Sequence, residues 1–372
     1  MAYRLFIIEL LFIQMAMIEA GDSALSAILA HNIDLFACSI CGGSVRMSTE
    51  HNALQCIECV HLFKVERGIP LMFSSNDWGA KKDVTGTVKS FYDERPFPNY
   101  DDPDSDFTLQ QKAERGIFAR LLNEQVALGA KVLEVGCGTG QLTNYLGLKW
   151  GRTVFGSDLS LNALRLGQEF KIKNSIENVL FINMNLFRPA FKQQAFDLVI
   201  CNGVLHHTSD PFLGFESIAR LVKDGGHIII GLYNRYGRIP TDIRRLLFKA
   251  LGTRFMFLDS RLRDPNLSKT RKDAWFYDQY RHPHESKHTI DQILEWFKST
   301  SFEFTNGIPK ATILSEFAVD EPLFVRNDSG TWLDHLFVQT GMLLGGGKEG
   351  GFFIMIGEKH SSDDERQASP IN

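Results

Sequence analysis

The stretch VLEVGCGTGQLTNYLG, residues 132–147, decides how the rest of the chain is interpreted. An apolar run containing one acid, Glu134, is followed by glycines at alternate positions, Gly136, Gly138 and Gly140. The apolar run predicts a buried strand, and QLTNYLG predicts the helix after it. Glycine permits a tight turn and lacks the Cβ that would hold a ligand away from the backbone. The stretch therefore predicts a strand, a turn and a helix, with a ligand at the turn.

Short apolar runs and amphipathic stretches alternate around this point, which is typical of a parallel sheet with helices on both faces. The predicted strands are residues 131–135, 153–157, 179–182, 196–201 and 227–232. After a break, TIDQILEWFKSTSFEF predicts a further helix, with Thr289 as its N-cap, and a strand. The apolar run GFFIMIGEK predicts the last strand. The expected fold class is α/β.

Length and composition predict one main domain with smaller additions. The 372 residues are 44% hydrophobic and carry a formal net charge of -4, which argues against nonspecific nucleic-acid binding by the whole surface. The predicted divisions are an N-terminal apolar segment 1–30, a cysteine module 31–75, a polar connector 76–106, a main domain 107–359 with an insert at 233–288, and a disordered tail 360–372.

The amino-terminal stretch MAYRLFIIELLFIQMAMIEA resembles a targeting signal only in part. Glu9 interrupts its apolar run, which is too short to span a bilayer. A packed or interfacial helix, or a start codon placed too far upstream, is favoured over a cleaved signal. No other stretch has transmembrane character, so the sequence predicts a cytoplasmic protein.

Two further features belong with the glycine turn. Asp158 lies 18 residues past Gly140 at the end of the second predicted strand, where an acid accepts both hydroxyls of a ribose. The stretch FDLVICNGVLHHTSDP, residues 196–211, is a strand that runs into a loop carrying Asn202 and Gly203. These features together predict a nucleoside site.

With these motifs the chain resembles the class I S-adenosylmethionine-dependent methyltransferases, specifically the type 11 and type 12 methyltransferase domains. The resemblance covers residues 91–359 and is strongest over 132–232. It implies a Rossmann-like seven-stranded sheet whose last strand, supplied by GFFIMIGEK, is reversed. A dehydrogenase-like dinucleotide fold is disfavoured, because no second nucleotide-binding half is visible.

The resemblance also implies that S-adenosylmethionine is the cofactor. The implied cofactor-binding residues are Glu134, Gly136, Gly138, Gly140, Asp158, Leu159, Asn185, Asn202 and Gly203. Glu134 and the glycine turn would hold the methionine end, Asp158 the ribose, and Leu159 would flank the adenine. Asn185 stands where the family often has an aspartate near the adenine amino group. Asn202 and Gly203 would line the sulfonium side.

His206 and His207 follow the fourth predicted strand, at the sheet edge where open α/β folds place their ligands. Either histidine could accept a proton from a nucleophile, and His207 is the preferred candidate. The alternative is that one packs and the other only shapes the pocket.

A second histidine group lies in RHPHESKHT, with His282, His284 and His288. This spacing could bind a metal, but the intervening proline and the neighbouring Arg281 and Lys287 argue against it. Contact with an acidic or polar substrate is favoured.

Four of the six cysteines form a separate motif. Cys38, Cys41, Cys56 and Cys59 have the pattern C-x2-C-x14-C-x2-C, which predicts a structural zinc ribbon. The module resembles the small ribbon domain related to the activator subunit of tRNA and protein methyltransferases. Cys137 and Cys201 lie in apolar context and are predicted to be buried thiols.

The insert at 233–288 is basic, with thirteen Lys or Arg against six acids. Its segment TDIRRLLFKALGTRF has apolar residues at helical spacing beside arginines. Such a helix can pack as a lid with a solvated outer face, lie on an anionic membrane surface, or face a phosphate backbone.

Three functions are consistent with these motifs. The favoured one is a methyltransferase for a small-molecule or lipid-like acceptor, with the insert as a lid. The first alternative is a tRNA or rRNA methyltransferase that holds RNA with the ribbon and the insert. The second is a noncatalytic S-adenosylmethionine-binding scaffold. Peripheral membrane contact stays open, and the oligomeric state is not readable from the sequence.

Overall fold

Two sheets organise the chain in the computed structural model, which describes residues 27–48, 52–78, 83–98, 105–265, 267–345 and 350–360. The smaller sheet is antiparallel and contains the cysteine module. Its strands, in order, are β1 (Val45–Ser48), β2 (Ala53–Cys56), β3 (Leu62–Glu66) and β4 (Ile69–Pro70). The predicted N-terminal segment and tail fall almost wholly outside the described residues.

The larger sheet has seven strands and confirms the predicted α/β class. They are β5 (Lys131–Val135), β6 (Thr153–Asp158), β7 (Val179–Asn183), β8 (Phe196–Asn202), β9 (Val222–Tyr233), β10 (Phe302–Ile308) and β11 (Phe352–Lys359). Their spatial order is β10, β11, β9, β8, β5, β6, β7. β11 is antiparallel to both of its neighbours, whereas β5 to β9 pair in parallel. The reversed last strand is therefore confirmed.

Helices cover this sheet and extend beyond it. They are α1 (Thr85–Glu94), α2 (Asp106–Glu114), α3 (Ile117–Gln125), α4 (Gln141–Gly147), α5 (Leu161–Lys173), α6 (Pro211–Ala219), α7 (Ile239–Leu251), α8 (Ser260–Arg263), α9 (Lys269–Arg281), α10 (Ile290–Ser299) and α11 (Trp332–Gly345). Thr289 caps α10 by accepting a 3.2 Å hydrogen bond from the Gln292 backbone nitrogen, as predicted. The insert between β9 and α10 consists of α7, α8, α9 and a 3-10 helix, Gly252–Leu258.

Both faces of the large sheet are buried, as a parallel sheet requires. Successive residues of β5 point to opposite faces of the sheet. Val132 therefore belongs to one hydrophobic core, and Leu133 and Val135 belong to the other. Leu180 and Phe181 of β7 divide in the same way. This two-sided burial holds the strand ends, and therefore the loops after them, in fixed positions.

The strand order places a crevice at the carboxyl ends of β5 and β8. From β5 the chain adds β6 and β7 on one side, and then crosses over to add β8 and β9 on the other. Loops after β5 and β8 therefore leave the sheet in opposite directions and open a space between them, where open α/β sheets bind ligands.

The cysteine module packs against the β7 end of the large sheet. Leu71 forms a parallel bridge with Asn183, and the backbone nitrogen of Met72 donates a 2.9 Å hydrogen bond to the Asn183 carbonyl. A second contact pairs Phe36 with Phe191, whose ring centroids are 4.9 Å apart. The module and the sheet thus share a hydrogen-bonded edge and an aromatic core.

Within the described part of the chain, no helix combines the length and the apolar character needed to cross a membrane.

Candidate cofactor and acceptor site

The glycine turn after β5 has the backbone conformation that its sequence predicts. Gly136, Gly138 and Gly140 have φ values of 72°, 55° and 72°, in the left-handed region that other residues disfavour. A Cβ at Gly136 would overlap Val204, and one at Gly138 would overlap the carbonyl oxygen of Phe97. The turn therefore needs glycine both for its conformation and for the close approach of other chain segments.

Asp158 lies at the end of β6, beside this turn. Its Oδ2 accepts a 2.8 Å hydrogen bond from the backbone nitrogen of Gly138, and its Oδ1 accepts one of the same length from Ser160. Burial raises the pKa of the Asp158 carboxyl to about 6, although these two hydrogen bonds act in the opposite direction. The carboxylate thus joins the loops of two neighbouring strands.

Glu134 is a second carboxyl group at this strand edge. It is buried and accepts a hydrogen bond from the hydroxyl of Thr143 in α4. Burial raises the pKa of Glu134 to about 7, and the neighbouring charge of Asp158 adds to the effect. A buried acid beside a second, half-buried one is costly unless hydrogen-bond donors or positive charge compensate.

These groups border a cavity of about 490 Å³ at the carboxyl edge of the sheet. The predicted site residues in its wall are Glu134, Gly136, Gly138, Asp158, Leu159, Asn202, Gly203 and His207. Asn202 Oδ1 is buried and has no hydrogen-bond partner among the described residues. This oxygen lies beside Gly231 of β9.

Two of the predicted cofactor residues lie outside the cavity wall. Gly140 is the N-cap of α4 and packs against Phe181, so its role is to support the turn. Asn185 donates to the Ser74 carbonyl at 2.9 Å and to Asn76 Oδ1 at 2.8 Å. Its amide nitrogen is thereby bonded to the segment that follows the cysteine module. The neighbouring Leu186 lines the cavity instead.

His207 is the histidine that borders the cavity. Its Nδ1 lies 2.8 Å from the carbonyl oxygen of His284, which can only accept, so Nδ1 carries the proton. Nε2 makes no hydrogen bond to a described residue and keeps its lone pair. Burial lowers the pKa of His207 to about 4, so the ring is neutral near pH 7.

His206 is not in the cavity wall. Its ring is buried between His207 and Tyr233, with centroid distances of 4.2 Å to each. Neither ring nitrogen finds a partner among the described residues, and burial lowers the pKa of His206 well below its usual value. The pair predicted together is therefore divided into one packed ring and one ring at the cavity.

The histidines of RHPHESKHT lie outside the cavity wall, and their contact with a substrate stays a prediction. His282 stacks on His207 with centroids 3.6 Å apart, and His288 hydrogen-bonds Ser286 and Gln292. His284 contributes its carbonyl to His207. No histidine of this group lines the cavity, and His282 and His284 hold His207 in place.

The segment predicted as a polar connector supplies part of the cavity wall. Tyr92 of α1 and the following Phe97 and Pro98 line the cavity. Asp93 fixes this segment by accepting hydrogen bonds from Ser160 Oγ at 2.7 Å and, through its carbonyl, from Asn162 at 3.0 Å. Sequence reasoning missed these residues, although the aromatic residues in FYDERPFPNY were an available signal.

The insert supplies another part that the sequence did not reveal. Asp278 and Gln279 of α9 line the cavity together with Trp275 and Arg261. Asp278 is buried, accepts hydrogen bonds from Tyr92 (3.3 Å) and Gln279 (2.8 Å), and has a pKa raised by burial. This carboxyl joins the insert to α1 across the cavity.

Three arginines of the insert, Arg238, Arg244 and Arg245, form ion pairs inside it. Arg238 is fully buried, pairs with Glu285 at 2.6 Å and lies 3.6 Å from the ring centroid of Tyr233. Arg245 pairs with the same Glu285 at 2.9 Å, and Arg244 lies 3.8 Å from Asp259. Part of the basic character therefore holds the lid together, and the rest is exposed.

The four module cysteines converge as their spacing predicts. Their sulfur atoms all lie within 4.8 Å of one another, with Cys38 and Cys59 at 3.6 Å and Cys41 and Cys56 at 3.5 Å. Tetrahedral zinc with bonds of about 2.3 Å would separate its thiolates by about 3.8 Å. The donor set and its size fit zinc, and the metal itself stays a prediction.

The sheet order, the glycine turn and the half-buried acid after β6 define a class I methyltransferase fold. Residues 133–230 also match the sequence profile of the family described as Methyltransferase domain. This part of the chain is therefore similar to a methyltransferase domain.

Individual relatives match only parts of the chain. An uncharacterised protein of Synechococcus sp. is 26% identical over 253 residues, 59% of either chain. The ubiquinone biosynthesis O-methyltransferase of Paracidovorax citrulli is 34% identical over 108 residues, which are 29% of this chain and 45% of the relative. The chain thus matches about half of the length of these relatives. Magnesium protoporphyrin IX methyltransferase of Synechocystis PCC 6803 is 14% identical, with a TM-score of 0.43 over 74% of this chain and 100% of that one.

Proposed function

We propose that the protein is a methyltransferase that uses S-adenosylmethionine to methylate a small-molecule or lipid-like acceptor. The observation that carries the proposal is the half-buried Asp158 carboxylate, joined to the glycine turn at the edge of a cavity of about 490 Å³. The match of residues 133–230 to a methyltransferase domain independently favours the proposal.

The described residues can be divided between the parts of the cofactor. Asp158 would accept the ribose hydroxyls, and Leu159, Ala163 and Leu186 offer apolar surface for the adenine. Glu134 would face the amino end, and Asn202 the sulfonium side. When bound, S-adenosylmethionine supplies a methyl group activated by the sulfonium. The two acids suit that ligand, because its positive charge and hydroxyl donors offset their burial.

The remaining cavity wall has the character of an acceptor site for an aromatic or apolar molecule. Tyr92, Tyr233, Trp275 and Phe352 provide ring surfaces. Asp278 provides the polar group among them. Pockets that are mainly apolar, with a few placed polar groups, bind small molecules with defined orientation.

The relative named as an O-methyltransferase favours oxygen as the methylated atom. A hydroxyl acceptor must lose its proton during transfer. His207 is suited to take it, because Nδ1 is held by the His284 carbonyl and Nε2 is left as the basic atom. We therefore assign His207 as the general base.

Calorimetric titration with S-adenosylmethionine tests the cofactor assignment. We expect binding to the wild type and a loss of affinity of about tenfold or more in Asp158→Asn, because one carboxylate oxygen is lost. Asp197→Asn is the matched control, since Asp197 lies near the amino end of β8, away from the cavity edge. Failure of the wild type to bind would refute the proposal.

Labelled methyl donor incubated with fractionated extract then tests the acceptor class. Label in hydrophobic metabolites supports the proposal, whereas label in RNA would favour the RNA alternative. Cofactor binding without transfer to any fraction would favour the noncatalytic scaffold. A salt titration of RNA binding adds an independent check, because phosphate contacts weaken steeply with salt.

We also propose that the four module thiolates hold one structural zinc ion and that the module supports the methyltransferase domain in cis. The converging sulfur atoms support the metal. The bond between Met72 and Asn183, together with the Asn185 contacts to residues 74 and 76, supports the second part. Through these contacts the module reaches the loop after β7, next to Leu186 in the cavity wall.

A further inference from the structure

The lid helix α7 has its apolar side turned to solvent. Ile239, Ile243, Leu246 and Ala250 follow one another at intervals of four, three and four residues and share one face. All four are exposed, with exposures of 38%, 54% and 67% for the first three. A helix that merely covers a core would bury such a stripe.

The inward side of the same helix combines one aromatic residue with polar and charged ones. Thr241 and Phe248 are buried, and Arg244 and Arg245 reach Asp259 and Glu285 inside the lid. The helix therefore packs through Phe248 and leaves the aliphatic stripe noted in the sequence exposed. Its arginines are used internally, and its aliphatic residues remain available for contact.

The exposed apolar stripe continues into the next segment. The 3-10 helix Gly252–Leu258 packs beside α7 and exposes Phe257 at 56% and Leu258 at 42%. We call the residues 239, 243, 246, 250, 257 and 258 the lid face. It extends toward α8, which begins two residues later.

Cations accompany the lid face. Lys249 of α7 and Arg261 and Arg263 of α8 are exposed. None of the three forms an ion pair with a residue in the described ranges. Exposed aliphatic and aromatic side chains beside unpaired cations are typical of helices that lie on anionic bilayers.

Arg261 connects the lid face to the cavity. Its guanidinium lies 4.1 Å from the ring centroid of Trp275, and both side chains line the cavity. The cavity thus borders the same segment that carries the exposed apolar residues. A molecule embedded in a bilayer under the lid face would reach the cavity past these two residues.

We propose that the lid face docks on the surface of an anionic phospholipid bilayer. RNA would match the cations but would leave the apolar stripe without a partner. A second copy in a two-fold contact would bring like-charged Lys249, Arg261 and Arg263 together. Delivery of an apolar acceptor to the cavity rests on the proposed function, whereas docking itself does not.

Vesicle flotation tests the docking. The full chain is mixed at low salt with vesicles of phosphatidylcholine alone, or of phosphatidylcholine and phosphatidylglycerol in equal amounts. We expect binding to the mixed vesicles and weaker binding to phosphatidylcholine or at high salt. The double variant Ile243→Asn with Leu246→Asn should bind the mixed vesicles at least about tenfold more weakly than the wild type.

The matched control is the double variant Leu128→Asn with Trp150→Asn. Both residues are exposed, at 61% and 80%, and lie near the amino ends of β5 and β6, away from the cavity edge. This variant should bind like the wild type. Absence of wild-type binding to the mixed vesicles, or equal binding by the two double variants, would overturn the proposal.

Two further measurements identify the reason for a negative result. Analytical ultracentrifugation that shows a dimer lost in the Ile243→Asn, Leu246→Asn variant, with no vesicle binding, would assign the lid face to a second copy and overturn the proposal. Calorimetric titration of the protein with S-adenosylmethionine, carried out beside the flotation assay, separates docking from the proposed function. Vesicle binding without cofactor binding would leave docking intact and refute only the methyltransferase assignment.

Discussion

The backbone nitrogen of Gly138 donates a 2.8 Å hydrogen bond to Oδ2 of Asp158, and this bond ties the glycine turn after β5 to the end of β6. The same glycine leaves room for the carbonyl oxygen of Phe97, which belongs to the segment after α1. One residue without a side chain therefore brings together the turn, the acid and the covering segment.

Gly138→Ala should separate these three parts. The left-handed φ makes alanine unfavourable by about 1 kcal/mol, and its Cβ would displace Phe97. We expect affinity for S-adenosylmethionine, measured by calorimetry, to fall by about tenfold or more. Gly225→Ala is the control, since Gly225 has φ of 74° but open space around its Cβ position. Equal effects of the two variants on cofactor binding would contradict this account.

Glu134 should make stability depend on pH in a specific direction. Burial raises its pKa from 4.5 to about 7, so the folded protein keeps a proton that the unfolded chain releases. Its contribution to the free energy of unfolding is complete below about pH 4.5 and is lost as the pH rises through about 7. We therefore compare the free energies of urea unfolding of the wild type and Glu134→Gln. The wild-type value minus the variant value should decrease by on the order of 2 kcal/mol between about pH 5 and pH 8.

The comparison with the variant is necessary because the buried histidines act in the opposite direction. Burial lowers the pKa of His207 to about 4 and that of His282 to about 3, so their contributions are lost as the pH falls below about 6.5. Exposed Glu169→Gln serves as the control. A wild type minus Glu134→Gln difference that stays constant with pH would disagree with a buried Glu134.

His207→Ala should lower kcat by about 10²- to 10⁴-fold while leaving the Kd for S-adenosylmethionine within about twofold. The reason is that Nε2 is the basic atom offered to the acceptor. Added imidazole should restore part of the rate, which a purely structural loss would not allow. Because burial lowers the pKa of His207 to about 4, the wild-type kcat should begin to fall only near that pH. An unchanged kcat in the variant would remove His207 from catalysis.

Cys41→Ser should release the metal from the cysteine module. Zinc measured by elemental analysis should be about one equivalent per chain in the wild type and absent or substoichiometric in the variant. The thermal transition should also move to lower temperature, because the module packs on β7. Cys201→Ala changes a buried cysteine of β8 outside the module and should retain the zinc content of the wild type. A wild type without zinc, or equal zinc in both variants, would argue against the site.

Arg238→Met should destabilise the lid strongly, because it leaves Glu285 buried without its main partner. Burial raises the pKa of Glu285, but hydrogen bonds and charge from Arg238 more than offset this and lower it to about 2. We expect a loss of about 3–5 kcal/mol in urea unfolding. Arg67→Met is the control, since the Arg67 and Glu169 pair is exposed and should contribute less than about 1 kcal/mol. Similar losses in both variants would show that burial of the pair does not matter.

The sequence alone predicted the parts of the site that depend on local pattern. Gly136, Gly138 and Asp158 were identifiable because a tight turn and a strand end require specific residues at short spacing. The paired CxxC motifs were identifiable for the same reason, since two knuckles must bring their sulfur atoms to one point. The alternation of apolar runs and amphipathic stretches likewise predicted the strands of the large sheet.

Tertiary structure alone decided which residues complete the cavity and which way the lid faces. Tyr92 and Asp278 meet across 186 positions of sequence, and no periodic pattern records such a contact. The division of His206 from His207, and the committed amide of Asn185, likewise depend on neighbours contributed by distant segments. The orientation of α7 has the same origin, because Phe248 packs in the lid cluster and Asp259 and Glu285 pair with Arg244 and Arg245, which leaves Ile243 and Leu246 outside.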